Sequence, residues 1–153
     1  MKVKKVVELI DGEVLLGEDK LDVEVPAAYS ADLLSDVLAL TEDDTLLITG
    51  TVSLQVIRVA EILGIIGIIF VRGKKPQDNV IKVAKKRLDI PLIVTRKTMF
   101  ETSGLLFQKG IKPCKNRHAS EVECMKLSKI ADKIGLELKN DVNIDNVKIK
   151  SGY

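Results

Sequence analysis

The chain has 153 residues, 46% of them apolar and 30% charged. That length suits one core without disulfide or metal staples, and that composition is globular rather than disordered or fibrous. No apolar run reaches the roughly 18 residues of a membrane span, "MKVKKVVELIDGE" lacks a signal-peptide pattern, and two cysteines, Cys114 and Cys124, make no disulfide framework; the expected home is the reducing cytoplasm.

Val3, Val6, Val7 and Ile10 recur at helical spacing, so the chain opens with a short amphipathic helix ended by Asp11-Gly12. "EVLLG" reads as a short strand, and "LDVEV" as a half-buried strand with Leu21, Val23 and Val25 on one face, stopping at Pro26. "SADLLSDVLAL" predicts a helix capped by its serine, with Leu33, Leu34, Val37 and Leu38 inward.

From residue 45 buried strands alternate with helices. "TLLIT" is followed by a helix carrying Val52, Val56, Val59, Ala60 and Leu63 on one stripe and stopped by Gly64. "IIGIIFV", Ile65 to Val71, reads as a second strand buried on both faces. "DNVIKVAKKRL" turns Val80, Ile81, Ala84 and Leu88 inward, "PLIVT" is a third strand, and Thr98-x-x-Glu101 is a capping box opening "TMFETSGLLF". This alternation predicts an α/β fold, a three-layer-like parallel sheet with flanking helices and right-handed crossovers. Beyond "GIKPCKNRH" the chain becomes more polar. Ser120-x-x-Glu123 with Val122, Leu127, Ile130, Ala131 and Ile134 predicts a helix, and the alternating tail two short strands. The expected division is residues 1–118 as the α/β domain and 119–153 as a helix plus short strands, packing on the domain or on a second subunit.

The net charge of +2 conceals an asymmetry: residues 1–71 hold 5 basic and 13 acidic side chains, and residues 72–117 hold 13 and 3. Such a split suits an anionic ligand near the basic half, self-association of opposite faces, or simply two solvated surfaces.

"IIGIIFVRGKKP" carries the sharpest question, because an apolar run ends there in a glycine and two lysines. It is no P-loop: "IIFVR" between Gly67 and Gly73 is strand-forming, and Lys75 stands where Ser or Thr is required. Open parallel sheets bind ligands outside the carboxyl ends of their strands. Three such ends supply Thr51 and Ser53; Arg72, Gly73, Lys74 and Lys75; and Thr95, Arg96, Lys97 and Thr98. With the helix N-termini that follow, they are candidates for holding an anion, against the plainer reading that polar loops merely end buried strands. Cys114, His118 and Cys124 lack a fourth zinc partner and a standard spacing. The lone histidine supports no Ser-His-Asp arrangement, and aromatic residues are too few for a base-stacking platform. No metal, cofactor, catalytic residue or nucleic-acid partner is expected.

The order of these segments resembles the DRTGG domain family. "GIIFVRGKKP", "VIKVAKK", "IPLIVT" and "TMFETSGLL" carry the likeness, which spans roughly residues 2–112. The family's name-giving Asp and Arg have no counterpart in "TGTVSLQ", and "VRG" stands at the expected Thr-Gly-Gly. The resemblance implies a fold similar to the N-terminal domains of HPr kinase/phosphorylase and, more distantly, of Mur ligases. It also implies a non-catalytic regulatory or assembly module, of the kind found beside CBS pairs in regulated pyrophosphatases, and a homodimer. The alternative expectation is a sensor binding a nucleotide or phosphorylated metabolite at the strand ends.

Overall fold

The computed structural model describes residues 1–114, together with the backbone of 125–126 and 148–149. The chain divides into two compact units, Met1–Arg117 and His118–Tyr153.

The first unit is a six-stranded sheet between two helical layers. In chain order its elements are α1 (Val3–Leu9), β1 (Glu13–Leu16), β2 (Ala27–Ser30), α2 (Leu34–Leu40), β3 (Thr45–Thr49), α3 (Leu54–Leu63), β4 (Gly67–Phe70), α4 (Asp78–Arg87), β5 (Leu92–Val94), α5 (Met99–Gln108) and β6 (Lys112–Pro113). The strand order is β1-β5-β4-β3-β2-β6. Every pairing is parallel except that of β1 with β5.

Alternation along the buried strands sorts the core into two clusters. Leu47, Ile68, Phe70, Leu92 and Val94 meet α2, α3 and α4 on one face. Leu46, Ile48, Ile69 and Ile93 meet α1 and α5 on the other. From β2 to β5 the chain steps one strand at a time, with each connecting helix on the first face. After β5 it crosses the second face through α5 and lays β6 beside β2.

The expected α/β sheet and its three central strands are present, as are the helices between them, but four details differ. "LDVEV" forms no strand: Glu24 makes a single bridge to Lys2, and the Val23 carbonyl and Val25 N–H bond the start of α1. The strand lies after Pro26 instead, because Ala27–Ser30 pairs in register with Thr45–Ile48. Ser30 therefore belongs to β2 and caps no helix; α2 starts at Leu34 without a side-chain cap, and Leu33 and Leu38 stay exposed. The central strand is Gly67–Phe70, shorter than Ile65–Val71, although Ile65 and Val71 are buried beside it. Finally, Met125–Lys126 pairs antiparallel with Lys148–Ile149, inside the stretch expected as a helix. There non-local pairing overrides the local capping-box and periodicity signals. The rest of that helix, with His118 and Cys124, lies outside the described residues. Among the described residues no helix is long and apolar enough to cross a membrane.

Candidate functional site

The parallel strands end together, so the loops after β2, β3, β4 and β5 share one rim. At its centre is Asp32, which follows β2. Its carboxylate accepts from the Gly50 N–H (2.6 Å), the Thr49 hydroxyl (3.2 Å) and Arg72 Nη2 (2.8 Å). The Thr51 hydroxyl donates to the Asp32 carbonyl at 3.0 Å. Partial burial works to raise the Asp32 pKa, but the Arg72 hydrogen bond, the Gly50 N–H, the Arg72 charge and the Thr49 hydroxyl outweigh it, holding the carboxyl below its ordinary value.

Arg72 lies directly over the backbone of Gly50, where a Cβ would come within 1.6 Å of Nη2. Only glycine admits that approach. Arg72 and Gly73 both have positive φ, 62° and 65°, and the Lys74 N–H closes the turn on the Val71 carbonyl at 3.3 Å. Two positive φ values at the centre of a turn are the type I′ signature, which an arginine rarely satisfies. Strain of this kind concentrates at ligand clamps.

The turn separates the expected site residues into two crevices. Thr51, Ser53, Arg72 and Lys74 line the first, a space of about 760 Å³ between the ends of β3 and β4 that Asp32, Gln55, Gln77 and Asn79 complete. Gly73, Lys75, Thr95, Arg96 and Lys97 line the second, between β4 and β5. Thr98 joins neither: its hydroxyl accepts the Glu101 N–H while the Glu101 carboxylate accepts the Thr98 N–H and hydroxyl, so it serves the start of α5. The Thr98 backbone and side-chain hydrogen bonds, with Lys97 nearby, draw the Glu101 pKa down.

The first crevice receives the N-termini of α3 and α4, each with N–H groups that no preceding turn can accept. Ser53, at the cap of α3, makes no side-chain capping bond, and its Oγ is shielded from solvent without a hydrogen-bond partner among the described residues. Lys74 pairs with no carboxylate among them. Unpaired donors and a cation at two helix starts can hold an oxyanion. Sequence reasoning missed Asp32, the hub of this arrangement. Its only signal was an acidic residue beside a strand that itself went unread.

Among the described residues no His, Cys, Asp and Glu cluster could hold a metal. Cys114 is buried, and its Sγ accepts the Glu42 N–H (3.2 Å) and the Thr45 hydroxyl (3.3 Å).

Among solved structures, the chain is similar to the CBS and DRTGG domains of the regulatory region of Clostridium perfringens pyrophosphatase, a crystal structure in complex with its activator diadenosine tetraphosphate. The TM-score is 0.57 at 14% identity, over 88% of this chain and 59% of that one. At that identity the likeness concerns the fold, and this chain spans about three fifths of the neighbour's length. No curated protein matches by sequence. The DRTGG domain model matches residues 5–108, two thirds of the chain, from within α1 to the end of α5, and the chain belongs to the DRTGG domain family.

Proposed function

We propose that this chain is a non-catalytic regulatory module that senses a nucleotide or phosphorylated metabolite in the crevice between β3 and β4. The observation that carries this reading is the convergence there of two helix N-termini and Lys74, which has no carboxylate partner among the described residues, on a space large enough for a nucleotide. The pyrophosphatase regulatory region, whose activator is a nucleotide, supports it as a family precedent. The proposal includes a fold kinship to the N-terminal domain of HPr kinase/phosphorylase, an enzyme whose phosphoryl-transfer machinery lies in a separate domain.

A ligand that binds only the native state raises the melting temperature, by about 2.7 kcal/mol of stability at a hundredfold excess over Kd. A thermal-shift screen of nucleotides and sugar phosphates is expected to find such a ligand, with the shift lost in Lys74→Ala. A flat response up to millimolar ligand removes the reading.

A second reading, self-association, is favoured by one other feature. Phe100 and Phe107 are 88% and 67% exposed and line an apolar groove of about 380 Å³ between α5 and the β2–β6 edge. The opposed charges of residues 1–71 and 72–117 suit a second copy of this chain as its occupant. Light scattering is expected to show a dimer that the Phe100→Ser, Phe107→Ser double variant dissociates; a wild-type monomer at high concentration counts against it.

A further inference from the structure

The sheet reverses its winding between β4 and β5, because β4 leads into α4 on one face and β5 into α5 on the other. Diverging connections open a gap at such a point, and open α/β sheets take ligands there. Here the gap is a cavity of about 390 Å³ bordered by Gly73, Lys75, Thr95, Arg96 and Lys97. Alternate residues of the β4–α4 turn border opposite crevices, Arg72 and Lys74 the first, Gly73 and Lys75 this one.

The turn from α1 to β1 closes the cavity. The Thr95 hydroxyl donates to the Ile10 carbonyl at 2.6 Å, Lys97 pairs with Asp11 at 2.5 Å, and Lys75 pairs with Glu13 at 2.6 Å. Gly12 lets the turn lie against the sheet, since a Cβ there would meet Ile93 Cγ2 at 2.8 Å. Two of the three cations are thus covered by the chain's own carboxylates, while Arg96 has no carboxylate partner among the described residues. The covering groups are loosely held: Asp11 is 82% and Glu13 57% exposed, and exposed ion pairs of this kind are weak.

We propose that this cavity is a second anion site, for a compact phosphoryl oxyanion such as a diphosphate group, which binds Lys75, Arg96 and Lys97 by displacing Asp11 and Glu13. Engaged, the five side chains carry a net charge of +1; with the carboxylates displaced, three cations face the anion. Charge-assisted bonds to phosphoryl oxygens then replace those to the carboxylates, and the α1–β1 turn loses two of its ties. This site stands apart from the β3–β4 crevice and does not depend on that reading.

The test is calorimetric titration of the full chain with inorganic pyrophosphate. The Asp11→Asn, Glu13→Gln double variant is expected to bind about tenfold more tightly than wild type. Adding Arg96→Ala is expected to abolish the gain, and adding Lys74→Ala to leave it intact. Asp11 has a φ of 50°, a region that asparagine tolerates well, so the variant keeps its turn; an unchanged circular dichroism spectrum checks this. The same gain with ADP assigns the group to a nucleotide's terminal diphosphate, and a gain with pyrophosphate alone to the free ion. A double variant that binds pyrophosphate no more tightly than wild type overturns the proposal, as does a gain that survives Arg96→Ala.

Discussion

Helices α3 and α5 have ten residues each and lie on opposite faces of one sheet, yet they are held in place differently. α3 buries Val56, Ile57, Val59, Ala60 and Leu63, starts without a side-chain cap, and stops at Gly64 in the left-handed region. α5 buries only Thr102 and Leu106, but its start is closed by a reciprocal capping box, and the Thr102 hydroxyl bonds the Thr98 carbonyl at 2.8 Å. A helix anchored by apolar burial can leave its N-terminal donors open, and α3 presents them to the β3–β4 crevice. A helix anchored by its polar end can leave apolar side chains outside, and α5 presents Phe100 and Phe107.

The largest effects are expected beneath α3. Phe70 is fully buried in the cluster that α3 covers, so Phe70→Ala should cost about 3–5 kcal/mol in chemical denaturation. Leu106→Ala, in the cluster beneath α5, should cost about 2 kcal/mol, near the low end for leucine, because the adjoining groove gives its neighbours room to close in. A larger loss at Leu106 than at Phe70 would invert the contrast between the two helices. Thr98→Ala should cost about 1 kcal/mol by opening the capping box, whereas Ser53→Ala, which breaks no capping bond, should cost markedly less. Equal losses would show that α3 too depends on its cap. In dilute protein, where no second copy adds to stability, the Phe100→Ser, Phe107→Ser pair should change it by no more than about 0.5 kcal/mol per site, since both side chains already face outward.

Acid sharpens the comparison at the crevice. Because the Asp32 pKa is depressed in the folded state, its contribution is fully present above the unfolded carboxyl pKa and is lost as pH falls through the folded one. Asp32→Asn should therefore flatten the acid limb of a stability–pH curve while leaving the neutral limb shallow; an unaltered acid limb would show that the Arg72 pairing is dispensable.

The central strands were legible because "TLLIT", "GIIF" and "LIV" are buried on both faces and read as continuous apolar runs. The helices between them were legible from their stripes, and Gly64 and Thr98 marked their ends. What escaped was the flank of the sheet. β2 is Ala-Ala-Tyr-Ser and β6 is Lys-Pro, and neither has a β-branched run or clean alternation. Their pairing is fixed by the neighbours, Thr45–Ile48 for β2 and then β2 for β6, so no local window contains the signal. The opposite error at "LDVEV" has the same root, because a correct alternation found a helix start rather than a strand to bond. Losing β2 also hid Asp32. The ten expected site residues could be grouped from sequence by strand end, but the partition of nine of them into two crevices depends on which way each residue of the Arg72–Lys75 turn faces, and Thr98 serves α5 instead.

Pro113 bears on how the molecule behaves in company. In β6 the Cys114 N–H points inward and bonds the Ala28 carbonyl, so the preceding residue's nitrogen is directed to the outer side, and there the chain has a proline with no hydrogen to offer. A border only two residues long and lacking that donor is a poor template for another strand. Crowded copies of this chain are thereby steered away from sheet extension along β6, and contact between copies at that edge is left to side chains.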